Sequence, residues 1–189
     1  MEQLKLKITG TSPLMMHSDR LANPLAPETK AHKELTSKRI KTEEDYLAIA
    51  RSEFMAGAYW NEAHGFYVPG QNFYGTFFEG SKLQKNGKRW KSGALVLENK
   101  VKLLHDAPKT PDELWGSPAN VDCRGEKAGQ AKLMRYRPIF LDWAAELTVH
   151  INTDVLDLKE AKKAIDDAGA LIGVCEYRPR YGRFQVTYA

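Results

Sequence analysis

Cysteine is scarce: Cys123 and Cys175 are the two in 189 residues. Two are too few for a disulfide scaffold or a four-cysteine zinc site. One disulfide is arithmetically open, and two reduced thiols are the simpler expectation. No run of 18 apolar residues occurs, so no membrane-spanning helix is expected. No basic start leads into an apolar segment, so no secretory signal is expected and the chain reads as cytoplasmic. The histidines (His17, His32, His64, His105, His150) form no HxxxH or HxH pair, and none adjoins a cysteine. With no Walker loop, GxSxG or GxGxxG either, no metal, cofactor or catalytic residue is expected from motifs. Asp166 and Asp167 fall on an expected helix and read as a solvated face. A dominant charge sign is also missing. Against 24 Asp+Glu stand 28 Lys+Arg, a formal charge of +4, so affinity for an anion must come from where cations cluster.

What is present suits a folded α+β domain. The chain is 42% hydrophobic and 28% charged. Leu4, Leu6 and Ile8 alternate with Lys5 and Lys7, the pattern of a half-buried strand. Residues 18–41 are polar, hold two prolines and lack a clean period, so they read as an excursion. Thr42 with Asp45 makes an approximate capping box for a helix whose stripe is Leu47, Ala50, Phe54 and Ala58. Short strands are expected around the turn 61–65 and a helix over 72–83, where Gly75 and Gly80 leave room for close backbone approach. Residues 84–91 read as a basic loop, 95–97 and 101–104 as strands, and 106–132 as a long loop anchored by Leu114 and Trp115. Trp143, Ala145, Leu147, Val149 and Ile151 share one strand face. Asp157 caps a helix lined by Leu158, Ala161, Ala164, Ile165, Ala168 and Ile172, and Phe184, Val186 and Tyr188 mark the closing strand. The order of main elements is β-α-β-β-α-β. The expected fold is therefore ferredoxin-like: an antiparallel sheet with two helices on one face, in a single domain over 1–189 with insertions at 18–58 and 106–132.

Three features resemble the RAMP superfamily of CRISPR-associated RNA-binding proteins, of the backbone-subunit type that coats guide RNA. The first is an N-terminal strand followed by a large insertion (11–41). The second is Val68-Pro69-Gly70-Gln71-Asn72-Phe73 leading into a helix, similar to the family's I-P-G-S-S-L-K-G. The third is Gly169 to Val174 running into Arg178-Pro179-Arg180-Tyr181-Gly182-Arg183-Phe184, similar to its glycine-rich loop before the last strand. Glu176, Tyr177 and Pro179 stand where that loop is richer in glycine, and the chain is shorter than most such subunits. A small solitary relative, phage-encoded and working in the host cytoplasm, fits at least as well. The resemblance implies that the 18–41 excursion acts as a thumb reaching a neighbouring copy, and hence a homo-oligomer or filament on the strand.

The expected function is non-catalytic binding of single-stranded nucleic acid, RNA or DNA. The inferred open sheet face (Lys5, Lys7, Glu146, Thr148, His150, Gln185, Thr187) carries no rings, so binding is expected from loops. Arginine matches phosphate, and tyrosine or tryptophan stacks bases of any identity. The candidates are Arg178, Arg180, Tyr181 and Arg183; Lys85, Lys88, Arg89, Trp90 and Lys91; Arg135 and Arg137 around Tyr136; and Lys38 with Arg39 beside Lys41. Trp90 and Tyr181 are the expected stacking rings, whereas Trp115 and Trp143 read as core. Each cluster has a plain alternative: a solvated turn, a solvated loop, a charge-protected strand edge, or a lead into a helix. Two other functions stay open. One is a metal-independent RAMP-type endoribonuclease using His17, or His150 on the open face. The other is a protein-interaction module, such as an inhibitor of a host nucleic-acid complex, with the same residues as interface anchors.

Overall fold

Alternation of apolar and charged residues makes Glu2–Gly10 a strand, β1, in the computed structural model, which describes residues 1–129 and 131–189. The protein is α+β with a mostly antiparallel sheet, and it divides into two compact units. The first comprises Met1–Leu14, Asn61–Asp106 and Phe140–Ala189; the second comprises Met15–Trp60 and Ala107–Ile139.

Further strands in chain order are β2 (Leu14–Met15), β3 (Trp60–Asn61), β4 (Gly65–Pro69), β5 (Ala94–Val96) and β6 (Lys100–Leu104). They continue with β7 (Val121–Ala128), β8 (Ala131–Phe140), β9 (Ala144–Ile151) and β10 (Phe184–Tyr188). The helices are α1 (Pro27–Thr36), α2 (Glu43–Gly57), α3 (Gly70–Leu83), α4 (Gly87–Gly93), α5 (Pro111–Trp115) and α6 (Leu158–Asp167).

The large sheet runs β10-β1-β9-β6-β4-β3, with β5 also on β9. Its rows follow from the alternation: Leu6 lies opposite Leu147, and Ile8 opposite Ala145 and Val186. One face is buried with Phe73, Phe77 and Phe184; the other carries exposed Lys5, Lys7, Glu146, Gln185 and Thr187, with Thr148 and His150 half-buried. Helices α3 and α6 pack closely enough that a Cβ on Gly80 would stand 2.3 Å from the Ala164 carbonyl, so the expected close approach is real there. Gly75 has open space around its missing Cβ and has no such role.

β9 pairs β6 at Ala144–Ala145 and β5 from Val149 onward, which leaves Glu146–Thr148 without a ladder partner on that side. Glu98, between β5 and β6, fills part of the gap: its carboxylate accepts from the Thr148 N–H at 2.8 Å. Replacing Glu98 by alanine should therefore cost about 1–3 kcal/mol, read by chemical denaturation, whereas glutamine keeps an acceptor and should cost less. Equal losses for the two variants would show that this bond does not carry the junction.

In the second unit the order is β2-β8-β7. The segment 18–41, expected as an irregular excursion, holds a 3-10 turn (Asp19–Ala22) and α1, whose Pro27 sits at the first helical positions, where no intrahelical N–H is needed. The expected capping box is present, with Thr42 and Asp45 exchanging both bonds. The buried stripe of α2 differs from its sequence reading. Leu47 is 61% exposed, while Glu53 is buried. Glu53 is kept there by Arg135 and by the Tyr136 N–H at 3.2 Å, so a paired carboxylate takes a place that hydropathy alone would deny it. The expected loop 106–132 likewise contains α5, capped by Thr110 with Glu113, a 3-10 turn (Pro118–Asn120) and β7. Leu114 is fully buried, and Trp115 meets Phe54 edge-on at 5.1 Å.

Candidate functional site

The loop between the π-helical turn Ala168–Ile172 and β10 concentrates left-handed backbone. Gly173, Cys175, Tyr177 and Gly182 all have positive φ, and Arg178–Pro179 is cis. Non-glycine residues in this region cost about 1 kcal/mol or more each, so surrounding bonds must hold them. They do: Val174 N–H donates to Gly182 O at 2.9 Å, Gly182 N–H to Pro13 O at 2.8 Å, and Arg183 N–H to Ser12 Oγ at 2.9 Å. Thr76 Oγ1 donates to Gly173 O at 3.1 Å.

On this frame Arg178 and Arg180 are exposed, and no carboxylate pairs with either among the described residues. Tyr181 is half-buried. It stands edge-on to Tyr177 at 6.3 Å, and the Arg180 guanidinium lies 5.9 Å from its ring centre. Arg183 is partly committed, since its Nε donates to Pro179 O at 2.6 Å and braces the loop. The chemistry on offer is thus two open forks, a third beside them, and a tyrosine ring held by a neighbour. Burial pushes the Cys175 thiol up to about 12, so it stays protonated beneath the loop, with the Asn72 amide 3.8 Å from its sulfur. This excludes a reactive thiolate there.

The other clusters fare differently. Of residues 84–91, expected as a basic loop, those from Gly87 onward belong to α4, and Trp90 is fully buried, 6.2 Å from Phe77. Trp90 is therefore a core ring and not a stacking surface. Arg89 donates to Val155 O and pairs with Glu160, tying α4 to the start of α6. Lys85, Lys88 and Lys91 remain exposed, with Lys91 over the Phe78 ring at 5.1 Å.

In the second unit, Arg137 is 2% exposed and pairs with Glu126 at 2.7 Å. It is a structural cation, not a phosphate ligand. Arg135 is tied to Glu53, and Tyr136 packs edge-on to Trp115 at 6.1 Å. Lys38 is bound to Asp45, and Arg39 is exposed. The Lys38 hydrogen bond, then the Thr42 N–H, holds the Asp45 carboxyl below its usual range. A depressed carboxylate stabilises the fold above its unfolded pKa, and that gain is lost as pH falls through the lower folded value. In a pH titration followed by NMR, Lys38→Ala should move the Asp45 midpoint upward. An unmoved midpoint would show that Lys38 is not the cause.

His17 is exposed, and its Nδ1 accepts from Arg137 Nε at 3.2 Å. Cys123 and Cys175 are both free thiols, joined in no disulfide.

Sequence reading missed the supports of the arginine loop: Ser12, Pro13, Asn72 and Thr76, all distant in the chain. The only sequence signal was the Pro69-Gly70 lead into α3, which sets Asn72 and Thr76 on its first turns. No family model matches this chain, and no curated protein matches it.

Proposed function

We propose that this chain is a non-catalytic protein that holds single-stranded RNA or DNA through the loop Cys175–Arg183. The observation that carries the reading is a strained, many-bonded backbone that presents Arg178 and Arg180 without carboxylate partners beside Tyr181. Solvated turns do not need such bracing, and free cations next to a ring match a phosphate and its base. The strand order supports a ferredoxin-like reading. With β5/β6 counted as one strand, β10-β1-β9-β5/β6 is the order fourth, first, third, second, and α3 and α6 are the crossovers. That in turn favours the RAMP resemblance. The exposed Lys85, Lys88 and Lys91 would extend the cationic track for a bound strand.

The test is a gel shift with matched single- and double-stranded RNA and DNA over a salt series, with size-exclusion chromatography of each complex. Single strands should be retained, affinity should fall linearly on a log–log plot of salt, and complexes larger than one copy per strand would indicate coating. Retention of none, or tighter binding of duplex, overturns the reading. Shortened RNA in EDTA that disappears in His17→Ala would replace it with the endoribonuclease.

A further inference from the structure

A cavity of about 530 Å³ opens beside the arginine loop, between the end of α3 and the turn that follows α6. It is a shallow groove open to solvent rather than an enclosed site. One wall is apolar, from Leu171, which is 53% exposed, and Ile172. Tyr177 supplies a flat ring, Pro179 adds apolar surface, and the exposed Arg178 also lines it. The polar groups inside are mostly acceptors. Glu79 is already bound by Lys82 at 2.6 Å. Glu176 is half-buried, and among the described residues no ion pair or hydrogen bond ties its carboxylate, although three arginines follow it within the same loop. Cys175 and Tyr177, on either side of Glu176, are both in the left-handed region, so the backbone is strained where this carboxylate is placed.

A strand gripped by Arg178 brings a base to this cavity. An unpaired carboxylate there selects by counting donors. Guanine offers two parallel N–H groups, N1–H and the 2-amino group, which match both carboxylate oxygens. Adenine and cytosine offer one amino group, and thymine or uracil one N–H between two repelling carbonyls. We infer that the cavity is a base subsite preferring guanine in a bound single strand, with Glu176 accepting from the Watson–Crick edge and Arg178 holding the adjoining phosphate. The inference rests on the strand-holding reading above.

Fluorescence anisotropy with labelled oligo(dT), and with the same oligonucleotide carrying dG at intervals, tests it. The dG form should bind about tenfold more tightly, as a bidentate base contact supplies. Glu176→Gln should bring the ratio near one while its thermal melt confirms the fold. Deoxyinosine in place of dG, which lacks the 2-amino group, should lose most of the gain with no change to the protein. If oligo(dT) binds and the wild-type ratio is one, or if Glu176→Gln leaves the ratio intact, the subsite is overturned and the strand-holding reading survives. If no oligonucleotide binds, both fall. GMP binding by a chain that ignores every oligonucleotide would assign the cavity to a free nucleotide and overturn the strand-borne base.

Discussion

Exchanging Arg178 and Arg180 together for alanine should weaken single-strand binding by roughly tenfold or more at low salt, and flatten the log–log salt slope by about 1.4. The slope follows from counterions: each phosphate contact on a single strand accounts for about 0.7 of it. The assignment to these two rests on their surroundings. Both are exposed, and neither is paired with a carboxylate among the described residues, so removing them should leave the fold intact. Arg135 and Arg137 make the contrast, since Glu53 and Glu126 already neutralise them. Arg183 is intermediate. Its Nε closes the loop onto Pro179 O, so Arg183→Ala should lose binding and loop order together. Lysines at 178 and 180 should keep the slope while losing part of the affinity, because an ammonium keeps the charge without the fork. A full slope in the double alanine variant would remove the loop from the interface.

The second large effect is on stability. Gly182 has φ +72°, and a Cβ there would stand 1.9 Å from the Val174 carbonyl. Alanine meets two penalties at once: the left-handed conformation, and contact with a backbone atom that cannot swing away. The same residue donates to Pro13 O and accepts from Val174 N–H, so any shift that relieves the clash breaks those bonds. A loss of about 3 kcal/mol is expected, which for a chain of this size lowers the melting temperature by roughly 6–12 °C. Calorimetry reads it directly. Gly75→Ala is the control: with open space around its missing Cβ it should be neutral or stabilising. Equal melting temperatures for Gly182→Ala and the parent would mean that the loop relaxes freely and is no rigid platform.

How much could be read in advance depended on the period of each segment. β1, β9, α6 and β10 announced themselves because each has one buried face and a matching repeat, and the caps at Thr42 and Asp157 are local hydrogen bonds between near neighbours. Trp90 was misjudged because α4 is seven residues long with three cations around the ring, too short for a stripe to show. Its burial comes from Phe77 on another helix, which no local pattern reveals. Arg137 misled for a related reason. Charged residues read as surface unless their partner is known, and Glu126 lies on the facing strand, a pairing that local pattern does not reveal. The arginine loop was legible in composition, with its proline, glycine, arginines and tyrosines adjacent. Its rigidity was not, because the bonds that hold it come from Ser12, Pro13 and Thr76.

The central claim is that the strand lies on the Cys175–Arg183 loop. Photocrosslinking of a single strand carrying thio-substituted pyrimidines, followed by mass spectrometry of the crosslinked peptides, tests it most directly. The account predicts that the dominant adduct maps to the peptide containing Tyr177 and Tyr181, and fades in the Arg178→Ala/Arg180→Ala protein. Adducts confined to other segments, or equal yields from both proteins, would contradict it.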